Sequence, residues 1–321
     1  MLKTILIVGG LGYLGSRLAH SLSLTNKFKI ILGTRNNQVK LPSELKGCEI
    51  VQIDLLEKNT IQKNLNKVDI IIHLAAMNAN ESEKNPSKAL LVNTLGTINL
   101  IQSAQDSSVK KIIYFSTAHV YGSPLIGDIN ENTLTNPNNH YAITHRASED
   151  YIIQLGKGGI ISTTVIRLTN AVGFPINKQA NCWMLVANDF AKQIVEKKQI
   201  QINSPGNQLR DFIPISNVSS AVLLLLKDYS NSAILNLGSG VSISILDLAK
   251  LFSLRSKKVL NIDATISSKE GQKNKNDNFF SFKIDRILSL GYLPVCSLEN
   301  EIDNLLIYVN KEFGTKSSIM K

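Results

Sequence analysis

A glycine-rich loop near the start of the chain constrains the fold more than any other feature. Residues 5–22 are ILIVGGLGYLGSRLAHSL, in which an apolar run precedes Gly9, Gly10, Gly12 and Gly15 and leucines follow at helical spacing. This pattern predicts a strand, a tight turn and an amphipathic helix. Glycines there let the backbone approach a pyrophosphate at the helix N-terminus, whereas the alternative is a strand-helix turn with chance glycines.

Short apolar runs alternate with helix-like segments over about the first 165 residues. The strand-like runs, rich in β-branched residues, are 4–8, 29–32, 49–53, 68–75, 110–116 and 162–168. Most are apolar on both faces, which is typical of buried parallel strands. The alternation predicts an α/β fold with a Rossmann-like, doubly wound parallel sheet.

The alternation stops after residue 170, which predicts a smaller C-terminal lobe packed on the first. We expect this lobe to bind the substrate. We expect helices over 183–198, over 245–252 after Ser244 and over 298–309 after Ser297. The predicted dinucleotide-binding domain is 1–170, rejoined by about 212–237. The substrate-binding lobe then comprises 171–211 and 238–321.

Composition and charge exclude several classes of protein. The chain has 321 residues, 43% of them hydrophobic and 19% charged, as ordinary globular proteins do. Its net charge of +10 is spread over both halves, which favours a small anionic ligand over nucleic acid. The 3 cysteines have no metal-ligand spacing, and no apolar run approaches the ~20 residues of a membrane span. We therefore expect a cytoplasmic protein that uses no metal and binds neither nucleic acid nor membrane. The sequence does not decide whether the protein is a monomer or a homodimer.

Arg35 bears on the choice of cofactor. In dinucleotide folds, an acidic residue about 20 residues after the glycines usually binds the ribose 2′-hydroxyl, but this chain has GTRN there. A guanidinium holds a 2′-phosphate in forked hydrogen bonds, whereas a carboxylate repels it. Arg35 therefore favours NADP(H) over NAD(H), unless it is a solvated surface charge.

Further motifs follow in a characteristic order: HLAA at 73–76, STAHVYG at 116–122, Tyr141, RLTNAVG at 167–173, RDFIPISNV at 210–218 and NLGSG at 236–240. With the glycine loop, they make the sequence resemble an extended short-chain dehydrogenase/reductase of the nucleotide-sugar epimerase, dehydratase and reductase group. The resemblance covers nearly the whole chain. It implies a nicotinamide-dependent enzyme that acts on a nucleotide sugar.

The resemblance also implies roles for individual residues. The cofactor-binding residues that it implies, beside Arg35, are Gly9, Gly12, Tyr13, Leu14, Gly15, Asp54, Leu55, Leu74, Ala75, Ala76, Tyr141 and His145. The implied catalytic residues are Thr117, Tyr141 and His145, and those in contact with substrate are Thr117, Asn170 and Arg210. Moving a hydride between a carbinol and nicotinamide requires a proton carrier and a group that fixes the oxygen, roles suited to Tyr141 and Thr117.

His145 departs from the family pattern Tyr-x-x-x-Lys, because this chain has YAITH. One helical turn after Tyr141, the position still reaches the same ribose. A histidine with an ordinary pKa near 6.5 is largely neutral at pH 7, so tyrosinate loses part of its support. Reduction starts from neutral phenol and needs no such support, so His145 favours a reductase.

Two further positions narrow the function. Sugar-nucleotide dehydratases of this family carry an Asp-Glu pair after the threonine, but this chain has Ala118 and His119, which disfavours a dehydratase. His119 is either an extra acid or base or, by preference, a packed, hydrogen-bonded histidine. Arg210 is either a diphosphate ligand or the ion-pair partner of Asp211.

The leading hypothesis is reduction of a keto group of a nucleotide sugar with NADPH. The alternatives are a nucleotide-sugar epimerase that retains its nicotinamide cofactor and a non-catalytic cofactor-binding regulator. Intact Thr117 and Tyr141 argue against the regulator.

Overall fold

The computed structural model describes residues 2–36, 38–227, 233–269 and 279–314. The strands are β1 (Lys3–Val8), β2 (Phe28–Thr34), β3 (Glu49–Gln52), β4 (Ile70–His73), β5 (Lys111–Thr117), β6 (Gly127–Ile129), β7 (Ser162–Leu168), β8 (Asn170–Val172), β9 (Gln199–Ile202), β10 (Leu209–Pro214), β11 (Ala233–Leu237), β12 (Ser242–Ser244), β13 (Thr265–Ser268) and β14 (Phe280–Phe282).

The helices are α1 (Tyr13–Ser23), α2 (Lys58–Leu65), α3 (Ala79–Lys84), α4 (Pro86–Ala89), α5 (Gly96–Gln105), α6 (His140–Lys157), α7 (Val186–Lys197), α8 (Ile215–Leu225), α9 (Ile245–Leu260), α10 (Asp285–Ser289) and α11 (Leu298–Phe313). A π-helical segment, Leu90–Leu95, joins α4 to α5, and 3₁₀ turns lie at Ser43–Leu45 and Ala118–Tyr121.

Seven parallel strands form the main sheet, in the order β11-β7-β5-β4-β1-β2-β3. Separate apolar clusters of buried residues lie on its two faces: Ile5 and Ile7 belong to one, whereas Leu6 and Val8 belong to the other. This alternation along β1 explains why the strand is apolar throughout. The predicted Rossmann-like α/β fold is confirmed.

The chain order reverses beside β1, because β2 and β3 lie on one side of it and β4, β5, β7 and β11 on the other. Ligands of open α/β sheets bind at such a switch point, outside the carboxyl ends of the strands. Val8, His73 and Thr117 end three of these central strands. The residues that follow them form the candidate site.

A third apolar cluster lies in the region predicted to be the second lobe, where α7, α9 and α11 pack together beside β10. Ser244 caps α9 by accepting a hydrogen bond from Asp247, and Ser297 caps α11 in the same way. Both helices begin where the sequence predicts, but each extends at least one turn further, to Leu260 and Phe313, because both remain amphipathic there and pack on each other. The predicted helix over 183–198 begins only at Val186. In the part of the chain that the structure describes, no helix is long and apolar enough to cross a membrane.

Candidate active site

The glycine loop closes tightly over the end of β1. The amides of Gly9 and Gly10 donate to the carbonyl oxygen of Gly33 at 3.0 and 3.2 Å. Gly9 has a φ of +86°, and a Cβ there would lie 3.0 Å from the amide nitrogen of Ala75. A Cβ on Gly15 would lie 2.2 Å from the carbonyl oxygen of Gly9, so neither position accepts a larger residue without movement of the backbone.

The first turn of α1 is open to an anion. Its cap residue, Gly12, provides no side-chain hydrogen bond, and no acidic residue lies in the first turn. The amides of Tyr13, Leu14 and Gly15 are the first of the helix and have no carbonyl partner within it. Three free amides and the positive end of the helix dipole suit a pyrophosphate. The loop therefore fits the predicted dinucleotide.

Tyr13 has a second role that the sequence did not reveal. Its hydroxyl donates toward the carbonyl oxygens of Ala171 and Gly173, at 3.2 and 3.0 Å, so its side chain joins the glycine loop to the start of the second lobe. Burial raises the pKa of this phenol well above its ordinary value, which keeps it a donor. The side chain of Tyr13 is therefore engaged in hydrogen bonds within the protein, and its backbone amide is the group left for the predicted anion site.

Three of the predicted cofactor-binding residues follow β2 and β3. Arg35 is exposed immediately after β2 and makes no hydrogen bond or ion pair with the residues that the structure describes. Asp54 is half-buried and accepts a hydrogen bond from the amide of Leu56 at 3.0 Å. Leu55 is buried, and its carbonyl oxygen accepts from Asn99 at 2.8 Å. A guanidinium without a partner among the described residues is available to a ligand phosphate.

The segment after β4 lies against the glycine loop. The amide of Leu74 donates to the carbonyl oxygen of Val8 at 2.9 Å, and Ala75 lies beside Gly9. Ala76 is exposed. The structure thus brings 74–76 next to the predicted pyrophosphate site.

Thr117 and Tyr141 meet at the end of β5. Thr117 is the last residue of this strand and is 5% exposed, whereas half-buried Tyr141 lies in the first turn of α6, which Asn139 caps. Burial raises the pKa of Tyr141 to about 12, and a side-chain hydrogen bond with Thr117 partly opposes this rise. The phenol is therefore protonated at neutral pH.

His145 lies one turn further along α6 and is 3% exposed. Its Nδ1 is 2.8 Å from the hydroxyl oxygen of Tyr114, and its Nε2 is buried with no hydrogen-bond partner among the described residues. Burial, aided by His73 and His119, lowers the pKa of His145 to about 3. A buried imidazole nitrogen without a partner beside Tyr141 fits a ligand hydroxyl there, and the ring carries no charge at neutral pH.

His73 is a site residue that sequence reasoning did not assign. It ends the apolar strand β4, is completely buried and has its Nε2 2.9 Å from the hydroxyl of Thr97. Its Nδ1 has no partner among the described residues, and burial lowers its pKa to about 4. The signal in the sequence was a histidine that ends an otherwise apolar strand.

On the substrate side, the structure removes one alternative. Asp211 is 1% exposed and accepts hydrogen bonds from the hydroxyl of Thr169 at 2.6 Å and from the amides of Ser239 and Gly240, both at 2.8 Å. Pairing of Arg210 with Asp211 is therefore wrong, because adjacent strand residues point to opposite faces and the carboxylate is satisfied elsewhere. Asn170 donates to the carbonyl oxygen of Asp211 at 2.9 Å.

Arg210 itself is exposed and forms no ion pair within the described ranges. Desolvation lowers its pKa from the ordinary value. Beside it, half-buried His119 donates its backbone amide to the hydroxyl of Thr117 at 3.2 Å, while its Nδ1 is buried with no partner in the described part of the chain. From the sequence, we prefer to interpret His119 as a packed, hydrogen-bonded histidine, but its ring nitrogen Nδ1 makes no hydrogen bond with the described residues.

Fold and site together define a nicotinamide-dependent enzyme of the extended short-chain dehydrogenase/reductase class. The family model of the NAD dependent epimerase/dehydratase family matches residues 5–238, and the chain belongs to this family. The predicted resemblance and the prediction of an enzyme are thereby confirmed.

Individual relatives differ in the reaction that they are named for. A dTDP-D-glucose 4,6-dehydratase of Dictyostelium discoideum is 31% identical over 81% of this chain and 62% of its own. A GDP-6-deoxy-D-talose 4-dehydrogenase of Aggregatibacter actinomycetemcomitans is 27% identical over 77% of this chain and 78% of its own. The crystal structure of a Thermotoga maritima UDP-glucose 4-epimerase with UDP-glucose has a TM-score of 0.82 and 22% identity, covering 97% of this chain and 99% of that one. The last comparison shows the shared fold.

Proposed function

We propose that this protein reduces a keto group of a nucleotide-activated sugar with NADPH. The observation that carries the proposal is the neutral pair of Tyr141 and His145, since burial raises the pKa of the first to about 12 and lowers that of the second to about 3. A reductase needs a protonated phenol at the start of its reaction. An enzyme that first oxidises its sugar needs a base in the same place.

The cofactor is held by the glycine loop in this proposal. The amides of Tyr13, Leu14 and Gly15 bind the pyrophosphate, and residues 74–76 lie along the adjacent ribose. When bound, the dinucleotide supplies the hydride. Arg35, which is exposed and unpaired within the described residues, binds the 2′-phosphate of NADPH.

The chain's own residues manage the proton and the oxygen. Tyr141 donates its phenolic proton to the carbonyl oxygen as that oxygen gains charge. Thr117 lies beside Tyr141, is 5% exposed and donates a hydrogen bond from its hydroxyl to the same oxygen, which orients the reacting carbon. Low solvent exposure around both hydroxyls strengthens these hydrogen bonds.

Arg210 is the proposed ligand of the diphosphate. It is exposed and free of Asp211, which other donors satisfy, so its guanidinium keeps its forked hydrogen bonds for phosphate oxygens. The relatives' names all include nucleotide sugars, which supports this class of substrate. Asn170, on the strand paired with Phe212, is the second proposed contact.

The test is to mix the protein with NADPH and a panel of nucleoside diphosphate keto sugars and to follow NADPH absorbance. Oxidation of one NADPH for each sugar reduced supports the proposal. Nucleoside diphosphate sugars that carry a hydroxyl in place of the keto group are assayed in parallel. Interconversion of their epimers with no net change in cofactor would support the epimerase alternative, which the names of relatives also favour. Binding of cofactor with no conversion of any sugar would support the regulator.

We also propose a division of the chain and an assembly. The domain bounds are those predicted from the sequence, with β11 returning to the main sheet.

The proposed assembly is a homodimer. Exposed apolar side chains repeat at helical spacing on two neighbouring elements: Leu91 and Leu95 lie on the π-helical segment, and Ile143 and Tyr151 lie on α6. Such a face suits a second copy of the chain. Light scattering should give a dimer in the native protein and a monomer in Leu95→Lys.

A further inference from the structure

Tyr114 occupies an unusual place for an aromatic residue of a central strand. It lies in β5, is 2% exposed and has a histidine on each side: its ring centroid is 5.3 Å from that of His73 and 5.9 Å from that of His145. Its hydroxyl oxygen is 2.8 Å from Nδ1 of His145. Tyr114 therefore joins the strand that carries Thr117 to the helix that carries Tyr141.

The hydrogen bond between Tyr114 and His145 has two alternative proton arrangements. Either the phenol donates to Nδ1 and the imidazole proton lies on Nε2, or Nδ1 carries the proton and donates to the phenol. Burial raises the pKa of Tyr114 well above its ordinary value, so the hydroxyl keeps its proton. The arrangement then depends on which neighbour accepts the hydrogen bond that the Tyr114 hydroxyl donates.

The hydroxyl of Ser148 and Nδ1 of His145 are the two candidate acceptors of the hydrogen bond from Tyr114. Ser148 lies beside Tyr114, and its own hydroxyl donates to the carbonyl oxygens of Asn93 and Thr144, both at 2.9 Å. A neutral imidazole nitrogen is a much stronger base than a serine hydroxyl, and stronger bases accept hydrogen bonds better. The phenol proton therefore points to Nδ1 of His145.

We propose that Tyr114 is a positioning residue that fixes His145 in the tautomer with its proton on Nε2. That nitrogen is buried without a partner among the described residues and lies on the helix next to Tyr141. It then donates to a ribose hydroxyl oxygen of the nicotinamide cofactor. The identity of this acceptor rests on the proposed function, whereas the tautomer does not.

The role explains how this chain replaces the family's lysine. A lysine is a donor in every rotamer, whereas a neutral imidazole is a donor at only one nitrogen and needs a partner to choose it. Tyr114 supplies that partner from an adjacent, rigid strand. Removal of its hydroxyl should therefore weaken cofactor binding through His145 and leave the fold intact.

The tautomer is tested by ¹⁵N NMR of histidine-labelled protein without ligand. Native His145 should show a protonated Nε2 and an unprotonated Nδ1, and Tyr114→Phe should shift its signals toward a mixture. Tyr121→Phe is the matched control, because it removes another buried hydroxyl, which donates to Asn236 at 2.7 Å and accepts from Arg167 at 2.9 Å and has no hydrogen bond with His145. A protonated Nδ1 in the native protein would overturn the proposal.

The second measurement is NADPH binding by fluorescence titration. Tyr114→Phe should raise the dissociation constant by roughly fivefold to tenfold, the effect of one lost hydrogen bond. In a His145→Ala background, the same change should have no further effect, because Tyr114 acts through His145. An equal penalty in both backgrounds would show that Tyr114 acts only through packing. If the tautomer is found but NADPH never binds, the proposed function fails and the assignment of the tautomer stands.

Discussion

The rings of Tyr141 and His145 meet edge to face on α6, with their centroids 4.4 Å apart. Both are uncharged at neutral pH, because burial raises the pKa of the phenol to about 12 and lowers that of the imidazole to about 3. His145 therefore provides no positive charge to support tyrosinate. Oxidation of an alcohol by this site needs either high pH or charge from the bound cofactor.

His145→Lys should restore such a cation. A charged lysine stabilises tyrosinate, so the ascending limb of the pH profile for kcat/KM in the oxidative direction, which reports deprotonation of Tyr141, should move to lower pH. The reductive direction should change less. The measurement compares native and variant enzyme with the identified sugar in both directions. An unchanged oxidative profile in a folded variant that binds cofactor would remove the argument from His145 for a reductase.

Tyr141→Phe should reduce turnover by about two orders of magnitude or more, because it removes the proton donor while cofactor binding and fold persist. Thr117→Val should act in the same direction with a smaller effect. Steady-state kinetics and NADPH titration check both. Full activity of Tyr141→Phe would transfer the role of acid to another residue, with His119 the next candidate.

Arg35 should make NADPH bind at least about tenfold more tightly than NADH, since a charge-assisted hydrogen bond contributes about 1.5–3 kcal/mol. Arg35→Asp should reverse or abolish this preference because the carboxylate repels the 2′-phosphate. Calorimetric titration with both cofactors gives the ratio. Equal dissociation constants in the native protein would contradict the role of Arg35.

Acid should destabilise the fold through His73 and His145. Burial lowers their pKa values to about 4 and about 3, against about 6.5 when unfolded, so the unfolded state binds protons first as pH falls. Their contribution is complete above pH ~6.5 and should fall by up to about 1.4 kcal/mol per pH unit for each histidine down to pH ~4. Urea denaturation at several pH values measures the slope. The slope of the free energy of unfolding against pH should be smaller in His145→Gln. The same slope in native protein and variant would contradict a contribution from His145. Replacement of the exposed His140 is the control.

The ion pair of Glu149 and Arg167 should stabilise the packing of α6, the helix that carries Tyr141. Nη2 of Arg167 lies 2.7 Å from Oε2 of Glu149, with side chains 4% and 0% exposed. Arg167→Met removes the guanidinium that donates to both oxygens of the buried Glu149 carboxylate, which keeps only Ser116 at 2.5 Å and the more distant Arg146 at 3.9 Å among its side-chain partners in the described residues. The substitution should lower the free energy of unfolding by about 3–5 kcal/mol. The exposed pair of Lys29 and Glu49 is the control, and Lys29→Met should cost less than about 1 kcal/mol. Equal losses in chemical denaturation would refute the difference.

Much of this protein follows from local patterns in the sequence. The spacing of apolar residues and glycines predicts six of the seven strands of the main sheet, the loop before α1 and the caps Ser244 and Ser297, because each depends on residues close together in the chain. The seventh strand, β11, was not predicted as a strand. The motif positions of Thr117 and Tyr141 likewise lead to the pair at the end of β5. The exact ends of α7, α9 and α11 did not follow, since packing among these helices decides them.

Only the tertiary structure decided the protonation and the partners of the site residues. Tyr114 and His145 are 31 residues apart in the chain, and Asp211 is held by Thr169 from 42 residues away. Neither contact has a local signature, because spacing along one element does not say which side chain of another element will face it. Burial, which makes His145 and His73 neutral, also arises only when distant segments exclude water together. The sequence by itself thus determined the fold and the kinds of chemical group at the site, and folding determined which of those groups carry a proton or a charge.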